Sequence, residues 1–199
     1  MRRPDGLSTG LGLERAVRSF VALPCPPGVR VAVSAAVTAW RGLGGEVAWA
    51  DPATAHLTLR FLGDADPARL ERLHERLPEV ARSSKAIRAT PGATGAFPSW
   101  GRPRVLWLGM ESGGAIEGLA AAVEAAARDA GFEREERRFT AHLTLGRVRG
   151  TRGVRRAADA VRGWKPGREV ETIPDVILYR SDLSAGGARH VALARYPVG

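Results

Sequence analysis

One tetrapeptide occurs twice in this chain, as His56-Leu57-Thr58-Leu59 and again as His142-Leu143-Thr144-Leu145. The copies lie 86 positions apart in a sequence of 199 residues, close to half its length. Each is set among apolar residues that predict a β-strand. Successive side chains of a strand point to opposite faces, so each histidine shares a face with its threonine while the leucines take the other. The fold must therefore bury two leucine faces and leave an imidazole and a hydroxyl together on the reverse of each. Two such surfaces suit a paired acid and base, with hydroxyls to hold an anion.

The length allows one large domain or two intimate lobes with a substantial core. With 44% hydrophobic and 26% charged residues the composition is that of an ordinary globular chain. Lys and Arg number 30 against 21 Asp and Glu, for a formal net charge of +9 and a pI near 11.1. That balance favours an anionic partner, nucleic acid first. Only Lys85 and Lys165 are lysine, so part of the charge reflects a bias toward arginine. Cys25 is the sole cysteine, which excludes an intramolecular disulfide and a thiolate metal cluster. No apolar run approaches the ~20 residues that span a membrane. The first residues, MRRPDGLSTGLGLERAV, lack the continuous apolar stretch of a signal peptide, and a cytoplasmic protein is expected.

Residues 1–16 are polar and Gly-rich and predict a loosely ordered extension, with one domain over 17–199. Arg18 to Leu23 reads as a strand closed by Pro24, Pro26 and Pro27. A helix follows from Val29 to Trp40, ended by Gly42, Gly44 and Gly45. The short segment Glu46 to Ala50 and an Asp51-Pro52 turn lead into the first His strand, which runs to Gly63. Asp66-Pro67 opens a helix whose stripe is Leu70, Leu73, Leu77 and Val80. Residues 85–97 read as one or two strands around Pro91-Gly92, and Val105 to Met110 as a buried strand. A helix over about 115–130 precedes the second His strand at about 139–148. A basic, Gly-containing segment and strands near 173–180 and 189–196 complete the chain. Strand, helix and His strand recur in each half, with 36 positions from Phe20 to His56 and 35 from Trp107 to His142. The fold class expected is α+β: two pseudo-symmetric βα-rich lobes whose pseudo-two-fold axis sets the His strands face to face across a cleft.

Imidazole titrates near 6.5, so one histidine can accept a proton while another donates. Flanking a phosphate, the pair can run an in-line displacement, each group contributing ~10²–10⁴-fold. Thr58 and Thr144 can donate to non-bridging oxygens and offset charge in the transition state. Neither role needs a metal or cofactor, and no HxH, HExxH or CxxC spacing occurs.

The motifs HLTLRFLGD (56–64) and HLTLGRV (142–148) resemble the paired HxTx signatures of the two-histidine phosphoesterases. RSFVALPCPPGVR (18–30), FPSWGRPRVLWLGM (97–110) and ILYRSDLSAGGARHVALARYPV (177–198) are similar to segments of the RNA 2′,3′-cyclic phosphodiesterases, also called 2′-5′ RNA ligases. The resemblance covers about residues 18–198. It implies antiparallel sheets around a central cleft, and metal-independent hydrolysis of 2′,3′-cyclic phosphate ends of RNA or nucleotides to 2′-phosphomonoesters. His56 would be the proton donor to the 3′-oxygen, His142 the acceptor that activates water, and Thr58 and Thr144 the phosphate ligands. Run backwards, the same site would join a cyclic end to a 5′-hydroxyl. A monomer without membrane attachment is expected. Two other readings stay open: a two-histidine phosphoesterase of a small nucleotide, such as a cyclic ADP-ribose phosphate or a 2′-5′ oligoadenylate, and a non-catalytic RNA-binding module.

Further substrate-binding candidates are Arg147, Phe20 and Phe97. Strict alternation puts Arg147 on the leucine face, so its contact with phosphate requires a bulge or the strand end. Phe20 and Phe97 suit stacking on a base, with core packing as the competing role. Arg60 has the parity of His56 and faces either cleft or solvent. His74 reads as a surface histidine. His190 lies in a late strand, where the family often carries an aromatic residue such as Tyr, and receives no role. The basic segment 147–168 suits phosphate contacts or a solvated loop.

Overall fold

The computed structural model describes residues 10–184 and 187–199. Its strands are β1 (Val17–Pro24), β2 (Val47–Trp49), β3 (His56–Ala65), β4 (Ile87–Phe97), β5 (Val105–Glu111), β6 (His142–Val148), β7 (Glu171–Ile173), β8 (Asp175–Ser184) and β9 (Gly187–Pro197). Its helices are α1 (Pro27–Arg41), α2 (Pro67–Ser83), α3 (Ala115–Asp129) and α4 (Val154–Gly163).

Local chemistry accounts for the helix boundaries. Pro27 opens α1, where its missing N–H costs nothing. The Asp66 carboxylate accepts from the Arg69 N–H at 3.1 Å and caps α2, whose buried stripe is Leu70, Leu73, Leu77 and Ala81. Gly114, at φ +92°, turns the chain into α3, and the Ser112 hydroxyl accepts from the Ile116 N–H at 2.9 Å. α4 lies within the basic segment 147–168, for which the sequence pattern predicts no helix. Its buried side consists of Ala157, Ala158 and Val161 only, too small an apolar stripe to stand out against its arginines. Residues 87–97 form one strand, with a register shift between Pro91 and Thr94 where a turn was an option.

Among the described residues the strands form two sheets, ordered β3-β1-β8-β9 and β2-β6-β5-β4-β7, with antiparallel neighbours throughout. In each, a His strand lies beside the strand that precedes it by one helix: β3 on β1, β6 on β5. The expected α+β pseudo-symmetry is present. The helices, however, are exchanged between lobes. α3 follows β5 of the second sheet, yet its C-terminal end docks on α2: the Arg72 guanidinium donates to the Ala130 carbonyl at 3.1 Å, and Arg76 pairs with Asp129 at 3.4 Å. α1 follows β1 of the first sheet but packs on the second. The Val29 N–H donates to Glu171 at 3.1 Å, and Trp40 packs against Trp49 and Trp164 at ring separations of 5.2 and 5.3 Å. The lobes therefore interlock, and β3 lies against β6 between them.

The described part of the expected extension is tied down. The Leu11 N–H donates to Glu71 at 3.0 Å, and Leu11 and Leu13 pack on the core. Residues 1–9 lie outside the described residues. Among the described residues, no helix is long and apolar enough to cross a membrane.

Candidate active site

His56 and His142 are each the first residue of their strand, and the two rings are anchored in the same way. Nδ1 of His56 lies 2.9 Å from the Thr54 carbonyl oxygen, and Nδ1 of His142 lies 2.7 Å from that of Thr140. A carbonyl only accepts, so both Nδ1 atoms carry the proton, and in the neutral ring Nε2 keeps its lone pair. Both histidines thus present the same nitrogen in the same tautomer.

The backbone beyond each motif repeats as well. On β3, Thr58 faces Ala22 and Arg60 faces Val21, so Leu59 is an extra residue against β1. On β6, Thr144 faces Trp107 and Gly146 faces Leu106, so Leu145 is the extra residue against β5. A bulge at this point reverses the alternation that follows. It returns Arg147 to the face of His142 and Thr144, as contact with phosphate required, and its positive charge acts on both histidines. On β3 the same bulge brings Phe61 to the cleft face and sends Arg60 to the other. There the Arg60 side chain, 9% exposed, meets Glu124 at 2.5 Å as an ion pair without hydrogen-bond alignment. It also reaches Glu135 at 3.7 Å and donates to the carbonyl of Glu133. Arg60 thus faces neither cleft nor open solvent; it ties β3 to α3 and to the connection leading to His142. Strict alternation sets Phe61 with the leucines and gives no sign of its place in the cleft, where it is 42% exposed.

Aromatic walls hold both imidazoles. Phe20 stacks on His56 with ring centres 4.7 Å apart and on Tyr179 at 5.1 Å, which leaves it 2% exposed. It takes the packing role behind His56, since no face remains for a base. His190 meets His56 edge to face at 5.0 Å, so the third histidine lines the same wall. Across the cleft Phe97 meets the His142 ring at 5.1 Å and Trp107 meets it at 5.9 Å. Phe97 is half-buried and remains accessible beside His142. Trp107 carried a signal in its alternation with Leu106 and Leu108, which set it on the opposite face from those leucines. Its ring fills the place of a Gly95 side chain, where an added Cβ would lie 2.0 Å from Cζ2. His74 is remote from the cleft, hydrogen-bonded to the Tyr196 hydroxyl at 2.7 Å and not simply a surface group.

Burial sets the charge of the pair. It is the main cause holding His56 down to about 4, against the pull of the Thr54 carbonyl; His190, Arg147 and His142 push in the same direction as burial. His142 is also lowered, first by burial and then by Arg147, with the Thr140 carbonyl opposing. The free site is a pair of neutral imidazoles beside a guanidinium and two hydroxyl side chains, a setting that attracts an anion. Among the described residues no three His, Cys, Asp or Glu side chains gather into a metal-holding group.

Comparison with known proteins gives the family. Residues 29–182 match the profile of the 2′-5′ RNA ligase superfamily. An RNA 2′,3′-cyclic phosphodiesterase of Archaeoglobus fulgidus is 36% identical over 67% of this chain and 73% of its own. One of Methanothermobacter thermautotrophicus is 30% identical over 86% of this chain and 93% of its own. The fold also matches E. coli LigT, crystallised with 3′-AMP, with a TM-score of 0.71 and 23% identity over 92% of this chain and 99% of that one. Two HxT strands, one from each interlocked lobe, and a profile match across most of the sequence make this chain a member of the 2′-5′ RNA ligase superfamily.

Proposed function

We propose that this chain hydrolyses the 2′,3′-cyclic phosphate ends of RNA or nucleotides to 2′-phosphomonoesters, without a metal, through His56 and His142. The observation that carries the reading is the duplicated histidine geometry: two Nδ1–H anchors, two Nε2 lone pairs and two matching bulges. The names of the relatives support the substrate class. Water attacks phosphorus as His142 Nε2 takes its proton; the P–O3′ bond breaks as His56 delivers a proton to the 3′-oxygen. Thr58, Thr144 and Arg147 hold the non-bridging oxygens.

The acid role requires a protonated His56, whereas the free ring is neutral at neutral pH. An anionic phosphodiester entering this buried site supplies the missing countercharge and favours the imidazolium. Substrate binding thereby loads the acid. Both motifs come from one chain, so a monomer suffices, and a cytoplasmic location fits the RNA substrate class. The same site run in reverse supports 2′-5′ ligation.

The test is incubation in excess EDTA with the four 2′,3′-cyclic mononucleotides and a cyclic-ended oligomer, with 2′- and 3′-phosphates resolved. A 2′-phosphate product is expected. A 3′-phosphate product would mean that the 2′-oxygen leaves, and loss restored by zinc or magnesium would indicate a metallohydrolase. Binding without turnover would leave an RNA-binding module.

A further inference from the structure

The arginines of this chain are not evenly matched with acids. Arg69, Arg82, Arg137 and Arg180 have carboxylates at 3.0, 2.7, 2.8 and 2.9 Å. Other described arginines have no ion-pair partner, and five of these gather at one end of the second sheet. Arg102 and Arg104 lie on the β4–β5 connection, Arg147 and Arg149 at and just beyond the end of β6, and Arg162 on α4, and all five are exposed. Among the described residues none of them is in an ion pair. Backbone hydrogen bonds gather the segments: the Arg104 N–H donates to the Phe97 carbonyl at 2.7 Å, and the Val148 N–H to the Arg104 carbonyl at 2.9 Å. The Arg162 guanidinium lies over the Trp100 ring, 5.1 Å from its centre. Glu46 is the nearby acid, and its carboxylate accepts from the Arg152 N–H at 2.9 Å.

This end is continuous with the cleft. Phe97 touches the His142 ring, and the connection bearing Trp100, Arg102 and Arg104 begins one residue later. The Arg147 guanidinium is partly covered on the cleft side, and this desolvation, followed by the charge of Arg149, lowers Arg147. Unpaired guanidiniums interleaved with an aromatic ring are the chemistry that tracks single-stranded nucleic acid. We propose that this basic end of the second sheet docks the RNA strand leading into the cyclic end, so that the protein prefers an oligomer to a cyclic mononucleotide. The proposal rests on the cyclic-phosphodiesterase reading of the site.

The experiment compares 2′,3′-cyclic AMP with a single-stranded oligomer of about eight nucleotides that ends in a 2′,3′-cyclic phosphate, using wild type and the R102Q/R104Q/R149Q variant. Three lost phosphate contacts should raise KM for the oligomer about tenfold and flatten its log–log salt dependence by about 2. Kinetics on cyclic AMP should stay within about twofold. Unchanged oligomer kinetics, or an equal loss on cyclic AMP, overturns the proposal. So does an equal loss in the R76Q/R82Q/R180Q variant, which removes the same charge elsewhere. Fluorescence anisotropy with the 2′-phosphate-ended oligomer gives a separate readout. If wild type hydrolyses neither substrate, the catalytic reading fails, while charge-dependent binding of that oligomer still supports the docking surface. Binding to phosphatidylserine vesicles but not to the oligomer overturns it.

Discussion

Replacing His56 should change how stability depends on pH, by an amount that follows from its burial. In the folded chain His56 is held down to about 4, chiefly by burial. In the unfolded chain it titrates near 6.5. A lowered folded value favours the native state above pH 6.5, and that contribution is lost as pH falls toward 4, because the unfolded chain takes up a proton that the native site refuses. Each pH unit in this window costs about 1.4 kcal/mol, so acidification from pH 7 to 4.5 removes about 2.5 kcal/mol through this residue alone. His56→Asn is the informative variant, since its side-chain amide keeps a donor for the Thr54 carbonyl but does not titrate. Urea unfolding of both proteins at pH 7 and 4.5 cancels the carboxylates they share. The variant should lose about 2.5 kcal/mol less than wild type. Equal losses, or an imidazole NMR titration of His56 in the free protein with a midpoint at or above 6.5, would refute the reasoning.

Thr58→Val and Thr144→Val should each lower kcat on 2′,3′-cyclic AMP by about 10²-fold while the fold, checked by circular dichroism, is kept. Gly95→Ala puts a Cβ 2.0 Å from the Trp107 ring, which packs against His142 and must shift. Thermal unfolding should show a loss of about 1–3 kcal/mol, with kcat falling as well. Arg60→Ala removes the cation paired with Glu124, which is 25% exposed and, among the described residues, keeps only the Glu135 N–H, and should cost about 3 kcal/mol in urea unfolding; Arg60→Lys should recover part of it.

How far the site was legible can be followed along one strand. His142, Leu143, Thr144 and Leu145 alternate as a regular strand does, and every face read from that alternation agrees with the structure. Beyond Leu145 the parity fails, since a bulge is one extra residue and leaves no mark in a hydrophobic pattern. Arg147, Phe61 and Arg60 all turn on that single residue, and the duplication supplied the check. A bulge proposed on β6 to bring Arg147 into the cleft implies, by pseudo-symmetry, one on β3, which exposes Phe61 and buries Arg60 under α3.

The helix exchange was illegible for a different reason. Matching spacings in two halves establish that the units are alike, but not which sheet each helix covers. Only side chains distant in sequence, such as Glu171 at the start of α1 and Glu124 beside Arg60, decide that. The exchange has a consequence for the chemistry. With α1 on the second sheet and α3 on the first, neither lobe can shift without dragging a helix that covers the other. The separation of the two imidazoles is thus set by the whole core and not by a flexible seam. In the proposed mechanism an acid and a base act on opposite sides of one phosphorus and need that rigidity, since small displacements forfeit in-line geometry. It is also the reason that Arg60, remote from the cleft face, should register in kcat as well as in stability.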